Sequence, residues 1–282
     1  MKKIVGVLLI VLGLAFVPTV HAETKPAIAI IDTGVDTSKT SVSYEVCIME
    51  EKRCPNKQAF MEGTGAATII DPKNGFEHGT VMNMIAKQID PNANIIFIRI
   101  VPTTNTGTMG IYTDSTVNSA MSWIIKNQSK FNIVAVSTSM GSHNFKTTTN
   151  YCPTTSVLKS NLTTLRTMGV MTFFAAGNNY DPVRVDYPSC LPETSAVGSV
   201  GPRGNIELYS NGGPELDFYA LGTYSTPIKN AVGTSSANVA LTSYWAKSYK
   251  GTYADTYTYI KSLMKPVEGN GLKSNLFVNV LG

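Results

Sequence analysis

The chain has 282 residues, 43% of them hydrophobic and 15% charged, with 23 Lys and Arg against 19 Asp and Glu. That composition supports one sizeable hydrophobic core. Neither sign of charge runs in blocks, so the charge pattern argues against a nucleic-acid partner or an anionic membrane surface.

Residues 1–22 read as an export signal removed from the mature protein. Lys2 and Lys3 form a positive n-region, 4–17 an unbroken apolar stretch, and Val20-His21-Ala22 a small-residue cleavage site. Those 14 apolar residues fall short of the roughly 20 that a membrane-spanning helix needs, and no later segment reaches that length. The expected mature domain is 23–282, located in a periplasm or outside the cell, with no membrane association after signal cleavage. Within it 21 basic residues remain against 19 acidic once Lys2 and Lys3 are removed.

The run 27–31 is apolar without alternation, the pattern of a strand buried on both faces of a parallel sheet. Asp32 ends it, followed by Thr33-Gly34-Val35-Asp36. A carboxylate there is either a turn former or a functional group whose burial demands hydrogen bonds. His78 stands before Gly79-Thr80 and a helical stripe, which presents an imidazole from a helix start. His21 leaves with the leader, so His78 and His143 remain as bases for neutral pH, and His143 lies in a polar Ser-His-Asn loop.

Further buried-strand runs follow at 94–100, 133–136 and 170–174. Helical spacing lies between them, at 115–126 with Val117, Ala120, Met121, Ile124 and Ile125 on one stripe, and at 156–168. Strand and helix in alternation predict an α/β fold, a parallel sheet covered on both faces with active sites at the carboxyl ends of its strands. The second half is richer in Gly, Pro and Ser, with turn signals at 177–179, 201–202 and 211–214. Asn178 follows the third of these runs and on its own reads as a turn asparagine. Helical patterns at 235–249 and 253–265 close the chain. Ser235 follows Gly233-Thr234 at the head of the first. A serine there is a helix cap, or a nucleophile beside free N–H groups that stabilise an oxyanion.

Cys47, Cys54, Cys152 and Cys190 give an even count, which in an exported chain favours disulfides. Four cysteines allow three pairings. The expected one joins Cys47 to Cys54 and Cys152 to Cys190, because both members of each pair sit in loop sequence containing Pro, Asn or Ser. A metal site is disfavoured: there is no C-x-x-C, and the mature histidines are not near the cysteines.

Asp32, His78 and Ser235 come in the order Asp, His, Ser, which belongs to the subtilisin type of triad. With IAIIDTGVD around Asp32, EHGT around His78, STSMGS around Ser139, FFAAGNN around Asn178 and GTSSA around Ser235, the chain resembles the subtilases. Tyr187-Pro188, 195–198 and 213–217 extend the resemblance over nearly the whole mature part. It implies a three-layer α/β sandwich around a mostly parallel seven-stranded sheet, and a serine endopeptidase working through an acyl-enzyme. By resemblance, Ser235 is the nucleophile, His78 its base and Asp32 the group that orients the base, while Asn178 and the Ser235 N–H donate to the oxyanion.

The resemblance further implies that backbone at Ser139-Met140-Gly141 and near 107–110 holds an extended substrate. A pocket for the residue before the scissile bond lies between Ser139-Met140-Gly141 and Ala175-Ala176-Gly177. The implied enzyme is a monomer acting on protein or peptide substrates. It needs no cofactor for its chemistry, and structural calcium, common in the family, finds no D-x-[DN]-x-[DN]-G loop here. Asp32 is the tenth residue after the expected cleavage site, which leaves no room for the N-terminal propeptide of many secreted subtilases.

The sequence departs from the family in two helices. Ser236-Ala237-Asn238-Val239 replaces the usual Met-Ala-x-Pro after the serine, and Asn83 and Met84 stand where small residues are expected after His78. An alternative reading is therefore a secreted binding protein on the same scaffold with impaired catalysis. An esterase is a third, opposed by the triad order and by the lack of G-x-S-x-G around Ser235.

Overall fold

The computed structural model describes residues 25–69, 77–103, 110–142, 152, 153 and 155–281. The expected leader, His143 and the 107–109 part of the expected substrate backbone lie outside the described residues.

Strand β1 (Ala27–Asp32) is buried at every position. Its side chains divide between two cores: Ile28 and Ile30 join one cluster, Ala27, Ala29 and Ile31 the other. That division explains why the run shows no polar alternation. Strands β2 (Tyr44–Ile48) and β3 (Phe60–Glu62) pair antiparallel. The loop beyond them is held by buried Glu45, whose carboxylate accepts from the N–H groups of Gly65 and Ala67, each at 2.9 Å.

There follow α1 (His78–Ile89), β4 (Asn94–Arg99), α2 (Asp114–Phe131), β5 (Ile133–Thr138), α3 (Lys159–Thr167), β6 (Met171–Ala175), β7 (Ser195–Val200) and β8 (Leu216–Leu221). A small ribbon of β9 (Thr223–Ser225) and β10 (Asn230–Val232) leads to α4 (Thr234–Lys247), α5 (Tyr253–Ser262), β11 (Lys265–Gly269) and β12 (Leu272–Phe277). Helix α2 starts where the Thr113 hydroxyl accepts the Thr116 N–H at 3.2 Å, and stops where Asn132 turns left-handed at φ 52°.

Among the described residues the main sheet has ten strands, in the order β11-β12-β8-β7-β6-β5-β1-β4-β2-β3, rather than the seven that the resemblance implies. The stretch from β8 to β2 is a continuous parallel ladder. The additional strands come from hairpins at its two edges, β3 folding back on β2 and β11 on β12. Helices α1, α4 and α5 cover one face and α2 and α3 the other. The first face is filled by aromatic packing, with the Phe173 ring centroid 5.6 Å from that of Trp245 and 5.8 Å from that of Phe218.

Disulfides join Cys47 to Cys54 and Cys152 to Cys190. Cys47 lies inside β2, not in loop sequence. Helix α5 ends at Ser262 and Lys265 opens β11, so the helical pattern expected to reach 265 breaks at a hairpin. Among the described residues no helix is long and apolar enough to cross a membrane.

Candidate active site

In the sheet β1 stands between β4 and β5, so the strand order reverses at β1, and in open parallel sheets a site crevice is expected beyond the carboxyl end of such a strand. Asp32, the last residue of β1, projects there while only 1% exposed. It accepts the Thr33 N–H at 2.7 Å and faces His78 Nδ1, 2.8 Å from Oδ1 and 3.0 Å from Oδ2. His78 opens α1, and the helix seats against β1 because residue 79 is glycine. A Cβ at Gly79 would lie 2.4 Å from the Gly34 carbonyl oxygen and 2.7 Å from Phe97. The seat is fastened by Gly79 N–H donating to Thr33 Oγ1 at 3.0 Å, and by the Asp36 N–H donating to Thr80 Oγ1 at 2.9 Å.

Burial pushes the His78 imidazole pKa down. The charge of Asp32 and its hydrogen bond outweigh that, Glu77 adds to them and Lys229 opposes, and the net result lies above the ordinary value of 6.5. With Nδ1–H donated to Asp32, the neutral ring carries its lone pair on Nε2.

Helix α4 runs beside α1 in the same direction. Ser243 Oγ donates to the Ala86 carbonyl at 2.8 Å, and Lys247 Nζ to the Ile89 carbonyl at 2.9 Å. Eight residues before Ala86 is His78, and eight residues before Ser243 is Ser235. At a common rise of about 1.5 Å per residue, the two side chains come to the same level at the heads of neighbouring helices. Ser235 is half-exposed. No hydrogen bond joins it to His78 among the described residues, and such contacts are commonly long before substrate binds.

Asn178, exposed, follows β6. Its Oδ1 accepts from Thr234 N–H at 2.9 Å and Thr234 Oγ1 at 3.1 Å, so its Nδ2 is turned the other way. Neither that Nδ2 nor the Ser235 N–H has an acceptor among the described residues, and Gly233 gives α4 no side-chain cap. Two open donors are thus fixed at a helix N-terminus, an arrangement suited to a developing negative charge.

Thr234 and Asn211 carry this geometry, and neither stands out in the sequence. The adjacency of Thr234 to Ser235 was the available signal for the first. For Asn211, the Asn-Gly-Gly turn concealed a fully buried clamp. Its Oδ1 accepts from the N–H groups of Asn179 at 2.8 Å and Asp181 at 3.2 Å, its N–H donates to the Gly177 carbonyl at 3.0 Å, and its Nδ2 donates to Asp186 Oδ1 at 2.8 Å. The backbone on both sides of Asn178 is held by this one residue.

The two departures from the family pattern also have structural uses. Buried Asn83 donates to Thr40 Oγ1 at 2.6 Å and to the Ser41 carbonyl at 3.0 Å, tying α1 to the loop after β1. Buried Asn238 donates to Ser137 Oγ at 3.0 Å and the Thr138 carbonyl at 3.1 Å. It thereby anchors α4 to the end of β5, directly before Ser139-Met140-Gly141.

Residues 139–141 and 176–177 leave the adjacent parallel strands β5 and β6 at the same end. Ser139 is half-buried, Met140 buried and Gly141 exposed, while Ala176 and Gly177 are buried. Beside them lies a cleft of about 380 Å³ lined by Ile111, Tyr112, Val117, Met140, Gly141 and Tyr187. Among the described residues no group of three or more His, Cys, Asp or Glu side chains is placed to hold a metal ion.

A family model described as the subtilase family matches residues 23–256. No curated protein sequence matches the chain. Among solved structures, a mutant of the protease domain of PatA is similar at 17% identity and TM-score 0.64, over 92% of this chain and 95% of that one. A lanthipeptide protease is similar at 17% identity and TM-score 0.64, over 91% and 85%. A protease from Pseudoalteromonas arctica is similar at 17% identity and TM-score 0.63, over 90% and 88%. At such identities the likeness to these structures speaks for the fold, and the family match, which takes in β1, α1 and α4, shows that the chain belongs to the subtilase family.

Proposed function

We propose that the chain is an exported serine endopeptidase in which Asp32, His78 and Ser235 act as the triad and Asn178 as an oxyanion donor. The observation that carries this reading is the Asp32–His78 pair, 2.8 Å apart, at the head of a helix packed in parallel with α4, in whose first turn Ser235 stands. In the proposed reaction Ser235 Oγ attacks the scissile carbonyl while its proton passes to His78 Nε2. The imidazolium faces Asp32, and Asn178 Nδ2 and Ser235 N–H donate to the oxyanion. The C–N bond then breaks with the proton returned to the leaving amine. Water, deprotonated by the same imidazole, then adds to the acyl carbon; the bond to Ser235 Oγ breaks, the imidazolium returns its proton to Oγ, and the acid product leaves.

Substrate backbone is proposed to add as a strand along Ser139-Met140-Gly141, with the side chain before the scissile bond seated between that segment and Ala175-Ala176-Gly177. The two disulfides support an oxidising compartment, in keeping with a cleaved leader at 1–22. The test is hydrolysis of a mixed peptide library by the mature protein and by Ser235→Ala. The expected result is a loss of three or more orders of magnitude with an unchanged melting transition. Binding of peptides without any Ser235-dependent cleavage would replace the enzyme by a binding scaffold.

A further inference from the structure

Peptide backbone added along 139–141 passes the cleft of about 380 Å³, whose lining takes in Met140 and Gly141 from that segment and Ile111, Asp114 and Val117 from the start of α2 and the chain before it. The side chain before the scissile bond is already placed between 139–141 and 175–177. The cleft is therefore open to a side chain nearer the amino end of the same peptide, since successive residues of a strand point in different directions. Tyr112 spans the cleft walls, donating its O–H to the Gly141 carbonyl at 2.9 Å.

Much of the lining is apolar. Val117 and Met140 are buried, while Ile111 stands out into solvent, 87% exposed. Asp114 is the one carboxylate of the described lining, and no Lys, Arg or His joins it there. Its Oδ2 accepts the Tyr187 O–H at 2.5 Å, and Tyr187 is held in turn by Ser156 Oγ at 2.8 Å. That donor brings no charge: burial, with the bond to Asp114, pushes the Tyr187 phenol up to about 12. A negative group is thus fixed at the side of an apolar cleft by a neutral partner.

We infer that Asp114 is a specificity-determining residue, which favours arginine or lysine at a substrate position on the amino side of the residue before the scissile bond. This rests on the peptidase reading above. A long basic side chain suits both parts of the cleft, its stem covering Val117 and Met140 while its head reaches the acid. An apolar side chain of equal length makes the first contact alone, and an acidic one is repelled. Asp114 is exposed, so solvent screens the attraction and the discrimination is a few-fold.

The test measures kcat/KM for peptides carrying Arg, norleucine or Glu at each position in turn on the amino side of the residue before the scissile bond. At one position the wild type should favour Arg over norleucine by about 5-fold at low salt, with Glu the poorest, and the preference should shrink as salt is raised to ~0.5 M. Asp114→Asn, which keeps an oxygen for Tyr187, should bring the three to within about 2-fold of one another at that position. Asp114→Lys should invert the order in favour of Glu. A merely structural role would change all three substrates together. No Arg preference in the wild type at any position, or an Arg-to-Glu ratio kept in both variants, would overturn the inference. Affinities of the same peptides for Ser235→Ala, by fluorescence anisotropy, separate the two readings. Loss of Ser235-dependent cleavage is a failure of the peptidase reading, while the Arg preference in binding, present or absent, still decides the role of Asp114.

Discussion

Asp217 is the clearest place where the fold holds an acid against its preference. In β7 and β8, Ala196 pairs with Leu216 and Val197 with Phe218, so Asp217 is the extra residue of a bulge. Its Oδ2 takes the Ala196 N–H at 2.9 Å. Burial raises its pKa from 3.8 to about 6, against smaller lowering contributions from the Ala196 bond and Arg166. The folded protein therefore binds the Asp217 proton more tightly than the unfolded chain does. The stability this gives is fully present below pH 3.8 and is lost as pH rises to about 6. At about 1.4 kcal/mol per pKa unit, the loss is at most about 3 kcal/mol.

Asp217→Asn keeps an oxygen for the Ala196 N–H and cannot ionise. Urea unfolding at a series of pH values from 4 to 7 should show the variant gaining on the wild type across that window, by up to about 3 kcal/mol, with m-values unchanged. A stability difference that stays constant over the window, or that favours the wild type at pH 7, would refute the reasoning.

Three further outcomes are expected. In the proposed mechanism Asn178→Leu removes one oxyanion donor and should lower kcat by roughly 10²- to 10³-fold with KM little changed, the magnitude seen for the equivalent loss in subtilisin; steady-state kinetics checks it. If His78 is the base as proposed, it must be neutral to act, and because its pKa is raised above 6.5 the acid limb of the kcat/KM profile should fall above pH 6.5 in the wild type, and Asp32→Asn should move that limb to lower pH. Replacing both Cys152 and Cys190 by Ser opens a loop of 38 residues and should cost about 4 kcal/mol by loop entropy, against about 2.5 kcal/mol for the Cys47–Cys54 loop of 7, measured by chemical denaturation.

Much of this architecture was legible because burial on both faces leaves a plain mark. The apolar run of β1 and the acid at its end locate the crevice, and Gly-Thr after His78 marks a helix pressed close to a strand. The edge hairpin of β11 and β12 was also written in the sequence. Asn270 and Gly271 both take positive φ, 51° and 72°, as a tight Asn-Gly hairpin turn requires. A helical reading carried to 265 obscured it. What the residues could not convey is partnership across distance. Thr234 reads as a helix-start hydroxyl until Asn178, 56 positions away, is found on it. Asn211 reads as a turn residue until it meets Asp186 beside Gly177. The departures at Asn83 and Asn238 look disruptive in sequence and become hydrogen-bonded struts in the fold.

The central claim is that Ser235 is a nucleophile activated by His78. Its most direct test is reaction of the folded protein with a fluorophosphonate, followed by mass mapping of the adduct. One label per chain on Ser235 is predicted, abolished by denaturation and reduced by orders of magnitude in His78→Ala. No label on Ser235, or equal labelling of the wild type and His78→Ala, would contradict the account.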